Sequence, residues 1–365
     1  LNTILASESK QREIIKEELL EIAAKYGNER RTQLIVGDTD LSVEDLIPDQ
    51  SVVVTITRTG YSKRTKVDLY RSQRRGGKGV KGAALRQDDL VDHFFVASTH
   101  DWLLFFTNKG RAYRAKVHEL PDAGRDARGQ HVANLLAFKP DETIAQVIAI
   151  PNYQAFPYLV LATRSGITKK SPLEEYDSPR SGGLIAINLR DGDEVVDAAV
   201  ITNKDEILLV SKAGMSLRFE ANDDSLRPMG RSSTGVIGMK FRKGDELLSM
   251  SAIKEDKKPK FVLTATDGGF AKRTPLDEYR TQGRGGIGVK AAKVDENSRG
   301  VLVGAMIVEE SDEILAITSG GVVMRTPVAE IRETGRDTMG VRLVNLDKGI
   351  SVVSIAQVKD EAEIS

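Results

Sequence analysis

Seven consecutive residues concentrate the chemistry of this chain. Gln73-Arg74-Arg75-Gly76-Gly77-Lys78-Gly79 holds three cations and three glycines and no carboxylate. Charges without local partners oppose burial. The same residues suit an anion, because glycine lets backbone N–H groups approach closely while Arg and Lys supply opposite charge. A polyanion such as the DNA backbone is the expected ligand. Nothing comparable points to catalysis. Gly283-x-Gly285-x-x-Gly288 matches a dinucleotide fingerprint but sits inside a β-repeat with no helix after it. Gly77-Lys78-Gly79 lacks the Ser/Thr that a P-loop places after its lysine. His93, His100, His118 and His131 are irregularly spaced and the chain has no cysteine, so no metal site, disulfide or thiol chemistry is expected.

Composition bounds the rest. The 365 residues are 40% hydrophobic, enough for one large core or several small ones. Net charge is zero, yet the charge is segregated. Residues 1–50 carry 6 Lys/Arg against 11 Asp/Glu, residues 51–131 carry 16 against 8, and the remaining 234 carry 31 against 34. A basic block around the special loop matters more to a polyanion than the overall balance. The chain opens on Leu1 rather than Met, so a fragment of a longer protein is expected. No signal peptide and no apolar run near 18 residues is present, so neither secretion nor membrane spanning is expected.

The elements that must position this loop recur. From Ser51 onward one unit appears six times. It opens on an apolar run, for example Val52–Thr57, Leu103–Thr107 or Phe261–Thr266, and continues as Thr/Ser-x-x-Gly-x-x-x-Lys/Arg. The glycines are Gly60, Gly110, Gly166, Gly214, Gly269 and Gly321, and the closing cations are Arg64, Arg114, Lys170, Arg218, Arg273 and Arg325. A second signature, Arg-x-x-x-Gly, follows as Arg75…Gly79, Arg125…Gly129, Arg231…Gly235, Arg284…Gly288 and Arg336…Gly340. The third repeat departs, with Arg180 present and Leu184 in the place of the glycine. Short Val/Ile/Leu/Phe-rich strands broken by Gly/Asp turns predict about four strands per unit, with Thr-x-x-Gly as a hairpin turn. The expected fold class is all-β, six propeller-like blades in a ring or spiral, with repeats starting near residues 51, 102, 158, 206, 260 and 313. A duplicated β-sandwich pair is the weaker alternative, because all six units share one register.

Residues 1–31 differ. Ile4, Ile14, Ile15, Leu19, Leu20, Ile22 and Ala23 recur at helical spacing, and Gly27 supplies a stop. This predicts a helical connector over 1–31 and a β-domain over 32–365, with Thr32–Val36 as a strand that pairs with a blade.

These features resemble the C-terminal domain of the A subunit of bacterial DNA gyrase. Gln73 to Gly79 match that family's gyrase-A box at every position, and the repeat matches its six-bladed β-pinwheel. Tyr26-Gly27-Asn28-Glu29-Arg30-Arg31-Thr32 resembles the end of the coiled-coil arm that precedes it. The resemblance implies a domain that wraps duplex DNA around its rim, without sequence specificity, so that the holoenzyme introduces negative supercoils. It implies that the cleaving tyrosine and the ATPase, with ATP and Mg2+, lie elsewhere, leaving no catalytic residue, metal or cofactor here. The implied partners are double-stranded DNA and the remainder of the gyrase A subunit, with the gyrase B subunit in an A2B2 holoenzyme, the isolated domain being a monomer. The implied location is the bacterial cytoplasm, on the nucleoid, away from membranes.

Gln73, Arg74, Arg75, Gly76, Gly77, Lys78 and Gly79 carry over as the box. The repeat adds an expected DNA-binding rim of Lys63, Arg64, Lys81, Arg111, Arg114, Lys116, Arg125, Arg128, Lys169, Lys170, Arg180, Arg218, Arg231, Lys272, Arg273, Arg284, Lys290, Arg325 and Arg336. Two alternatives stand beside this reading. A topoisomerase IV-type domain has a similar repeat but lacks an intact box. A protein-interaction propeller of the WD type expects Trp-Asp in each blade, whereas this chain has one Trp, in Asp101-Trp102.

Overall fold

The structure, a computed structural model, describes residues 2–28, 43–67, 91–124, 126–255, 260–295, 298–320 and 322–358. The box, Lys81, Arg125 and Thr32–Val36 lie outside these residues. The chain divides into two units, 1–46 and 47–365.

The first unit holds helices Asn2–Leu5 and Glu8–Tyr26. Ile15, Leu19, Leu20 and Ile22 are exposed, and the helices bury no residue. Gly27 ends the second helix, its N–H donating to the Ala23 carbonyl. Its φ is −66°, so the left-handed conformation is not the reason for glycine; a Cβ there would lie 2.3 Å from the Ala23 oxygen.

In the second unit the apolar runs become strands buried on both faces, which is why they read as continuous rather than alternating. Leu103 and Phe105 pack with Val52, Val54 and Ile56 of the preceding repeat. Leu104 and Phe106 pack with Leu159, Leu161 and Tyr176 of the following one. The same split recurs at each later junction through repeat 6. Burying one such side chain contributes about 1.5–3 kcal/mol, so each blade is stabilised chiefly by its neighbours.

Six antiparallel sheets result, and sheets one to five are each completed by the next repeat. The first combines Ser51–Thr57, Tyr61–Lys66 and Val91–Ser98 with the two-residue strand Gln130–His131. Leu184–Ile185, Val236–Ile237, Val289–Lys290 and Val341–Arg342 complete sheets two to five in the same way. Among the described residues the sixth sheet has three strands. The long strands Val91–Ser98, Ile144–Ile150, Val195–Ile201, Leu247–Ile253, Leu302–Val308 and Val352–Val358 touch in succession, and the last touches the first. These edges ring an axis, and the two-residue strands therefore lie on the outer edge of the second unit.

The first signature explains the docking. In every repeat the Thr/Ser hydroxyl accepts the N–H four residues on, as Thr57 does from Tyr61 at 3.0 Å and Ser211 from Met215 at 3.1 Å. The hairpin glycine carbonyl then accepts an N–H from the next repeat: Gly60 from Val132, Gly110 from Ala186, Gly166 from Gly238, Gly214 from Ala291 and Gly269 from Leu343. The second signature's glycine lets the borrowed strand approach. At Gly288, φ is +82° and a Cβ would sit 2.0 Å from the Ser216 carbonyl oxygen. The third repeat keeps this device, contrary to expectation: Gly183, at φ +71°, precedes Leu184–Ile185, and the segment before it is shorter.

Replacing Gly288 by Ala combines a left-handed backbone with a backbone clash, and should cost on the order of 2–4 kcal/mol of unfolding free energy in urea titrations. Gly283→Ala, where nothing lies within 4 Å, should cost little. Equal effects at the two positions would contradict strand exchange as the source of the glycine.

Candidate nucleic-acid interface

Many of the recurring cations do not face solvent. Lys63, Lys169, Lys170, Lys272 and Arg273 are buried. The expectation that they line a DNA-binding rim is corrected: their charges are spent inside the ring.

In repeats 1 to 4 the side chain of the cation four residues after the hairpin glycine links its blade to the next repeat. Arg64 Nε donates to the Leu120 carbonyl at 2.9 Å, and Arg114 bonds Asp177. Lys170 donates to the Ala221 carbonyl at 2.7 Å and to Asp223 at 2.8 Å. Arg218 donates to the Leu276 and Tyr279 carbonyls as well as to Glu206. Arg273 bonds Glu310 at 2.9 Å, while Arg325 bonds Glu313 of its own repeat. Several acceptors are carbonyls in or next to short 3-10 turns, at Leu120, Leu276 and Tyr279.

One residue earlier, repeats 1, 3 and 5 carry a lysine, and each reaches the outer loop of the following repeat, Lys169 also bonding Ala186 of its own repeat. Lys63 donates to the Gly124 and Ala127 carbonyls, Lys169 to the Ala186 and Arg231 carbonyls, and Lys272 to the Gly335 and Arg336 carbonyls. Burial pushes the Lys169 ammonium down to about 7 and that of Lys272 to about 8.

The remaining expected residues are spread over three situations. Arg111 donates to the Gly182 carbonyl at 2.6 Å and pairs with Glu142. Lys116 bonds the His100 carbonyl and, with Arg114, covers the Trp102 ring. Arg128 stacks 3.4 Å over Tyr61. Arg231, Arg284 and Arg336 form a series: each guanidinium donates to the carbonyl of the borrowed strand one repeat back, at Ile185, Ile237 and Lys290 respectively. Lys290 itself pairs with Asp337. Arg180 is exposed, and its side chain bonds no described residue.

A backbone chain runs beside this series. Asn188 donates its N–H to Ser233, Lys240 to Gly286 and Lys293 to Thr338. The outer loops of repeats 3 to 6 are thus tied in one register into a continuous strip. The sequence pattern missed three exposed residues on it: Arg227, Arg280 and Arg332. Each directly follows a buried residue, Leu226, Tyr279 or Ile331, that ends the turn after the hairpin. That placement was the available signal.

Six blades joined by borrowed outer strands, with arginines repeating along the outer edge, define a propeller built to present one surface many times. The family described as DNA gyrase C-terminal domain, beta-propeller, matches residues 51–98, 101–151, 157–202, 205–254, 260–309 and 312–359. The DNA gyrase A subunit of Streptomyces coelicolor is 63% identical over 361 residues, covering 98% of this chain and 42% of that protein. That of Mycobacterium leprae is 58% identical over 362 residues, covering 99% and 28%. The chain therefore spans less than half the length of these relatives. A solved gyrase A C-terminal domain superposes with a TM-score of 0.71 at 27% identity, covering 84% of this chain and 99% of that one. A topoisomerase IV C-terminal domain gives 0.70 at 29%, covering 86% and 94%. The chain belongs to the DNA gyrase C-terminal domain family, whose members are DNA-binding β-propellers of type II topoisomerases. No helix among the described residues is long and apolar enough to cross a membrane.

The buried lysines give a pH test. The folded state holds the Lys169 proton less readily than the unfolded chain, where lysine titrates near ~10.4. This group therefore costs stability below about pH 7, and that cost is relieved as pH rises from about 7 toward ~10. Relative to Lys169→Met, the unaltered chain should gain unfolding free energy between pH 7 and pH 9 in urea titrations. Parallel pH profiles would show that the burial is not as described.

Proposed function

We propose that this domain binds duplex DNA along its outer edge and wraps it, without catalytic chemistry of its own. The observation that carries this is the strip of outer loops, which places an arginine at one register in each of repeats 4 to 6 around a curved edge. Phosphate contacts of this kind position a duplex but read little sequence. Bending 20–30 base pairs by 40–90° costs about 1–6 kcal/mol, and a half turn on the order of 10 kcal/mol or more. One loop cannot offset that, whereas contacts spread over successive blades can.

The box Gln73 to Gly79, a match to the family's motif, contributes three further cations to DNA binding in the proposal. Wrapping would serve a holoenzyme of two A and two B subunits that introduces negative supercoils with ATP and Mg2+ bound elsewhere, on the bacterial nucleoid. Likeness to gyrase and topoisomerase IV structures is nearly equal and does not separate those enzymes. Identity of 63% and 58% to gyrase A subunits, together with the intact box, favours gyrase.

With about ten phosphates neutralised, log K for a duplex should fall with a slope near −9 in log salt. A nearly salt-independent affinity in filter binding would end the reading. In a reconstituted holoenzyme, Arg74→Ala/Arg75→Ala/Lys78→Ala should abolish supercoiling and leave relaxation and decatenation largely intact. Full supercoiling by that variant would remove the gyrase-specific role of the box.

A further inference from the structure

The residue directly after the buried residue that ends each 3-10 or turn segment is Pro121, Asp177, Arg227, Arg280 and Arg332 in repeats 2 to 6. The three arginines are exposed, and their side chains make no hydrogen bond or ion pair with a described residue. The Arg227 charge acts on Asp223 without bonding it, and Lys170 already holds that carboxylate. By contrast, Arg64, Arg114, Arg218, Arg325 and Lys290 are engaged by carboxylates or carbonyls.

Backbone hydrogen bonds fix where the three sit. Two residues on, Met229, Gln282 and Thr334 donate their N–H groups to the carbonyls of Lys170, Arg218 and Arg273 in the preceding blade. Each arginine therefore occupies the same place on three consecutive blades. Repeats 2 and 3 do not continue the row. Pro121 has no charge. Asp177 presents a carboxylate that pairs with Arg114, in a repeat whose outer segment is shorter. Among the described residues, the loop-to-loop bonds of the strip also begin only at repeat 3.

We propose that Arg227, Arg280 and Arg332 are the phosphate contacts on blades 4 to 6, and that the duplex leaves the outer edge at repeat 3. This rests on the DNA-binding reading above. A guanidinium not already spent on protein acceptors can grip a phosphate through two N–H groups without breaking an existing bond. A position that holds arginine on three blades and proline or aspartate on the two before them sets one end of such a track.

The test uses the full chain and a duplex of random sequence. Arg227→Ala/Arg280→Ala/Arg332→Ala is compared with a charge-matched control, Arg190→Ala/Arg242→Ala/Lys348→Ala, whose exposed residues lie on the turns before the axial strands. The first triple should reduce the salt slope by roughly 2.7, about 0.9 for each lost phosphate contact, and the control by less than about 1. Equal losses, or an unchanged slope in the first triple while the unaltered chain keeps its own, overturn the assignment but leave DNA binding standing. A flat slope in the unaltered chain overturns both. The absence of cysteine allows single tethered cleavage probes. Arg227→Cys, Arg280→Cys and Arg332→Cys should cut the duplex at successive positions in that order, and Ser181→Cys weakly. Cutting by Ser181→Cys as strong as by the others places DNA on repeat 3 and overturns the exit.

Discussion

Repeats 2 to 6 each give a strand to the blade before them, and the hydrogen bonds that receive it organise everything else. The hairpin glycine carbonyl of one blade takes an N–H from the next, and the cation four residues on takes the carbonyls of the turn leading to the borrowed strand. A repeat removed from its neighbours would leave an open sheet edge and exposed apolar faces on both sides. Stability must then grow by nearest-neighbour terms, as in other repeat architectures. Burying an ammonium is expensive unless its protons are all used. Lys63, Lys169 and Lys272 approach that condition because the outer loops, bulging between two anchored ends, offer carbonyls that no strand satisfies.

The architecture was legible because its signals are local. Apolar runs broken by Gly/Asp turns announced the strands, and Thr/Ser-x-x-Gly announced the turn that six hydroxyl–amide bonds now account for. The recurrence of the cations is plain in the sequence; their burial is not. Phosphates and buried carbonyls both demand positive charge at a fixed register, so recurrence alone cannot tell them apart. The distinguishing fact was their position inside the second strand of a sheet with two covered faces, where Lys63 and Lys170 have no path to solvent. Arg227, Arg280 and Arg332 escaped notice for the opposite reason: Pro121 and Asp177 break the pattern just where the repeats are first compared. Gly183 escaped because a shorter segment moved it out of alignment.

A chain of zero net charge can still attract a polyanion when its charges are unevenly placed. Asp223 is held by Lys170, Glu206 by Arg218, Glu310 by Arg273, Glu313 by Arg325 and Asp337 by Lys290. Pairs of this kind cancel beyond a Debye length, about 8 Å at physiological salt. What a duplex meets at the outer edge is the residue of that cancellation, and on blades 4 to 6 it includes arginines that form no hydrogen bond or ion pair with a described carboxylate or carbonyl.

Curvature follows from the same bonds. A flexible array of cations would have to be ordered as it bound, at roughly 0.5–1.5 kcal/mol for each immobilised side chain, in addition to the elastic cost of the DNA. Here the backbone under each arginine is already pinned to the preceding blade, and the loops are tied to one another from repeat 3 to repeat 6. The ring sets the path before DNA arrives, so contact energy goes into bending the duplex rather than into shaping the protein. Strand exchange, which the blades need for their own stability, thereby also supplies the rigid curved edge on which wrapping depends.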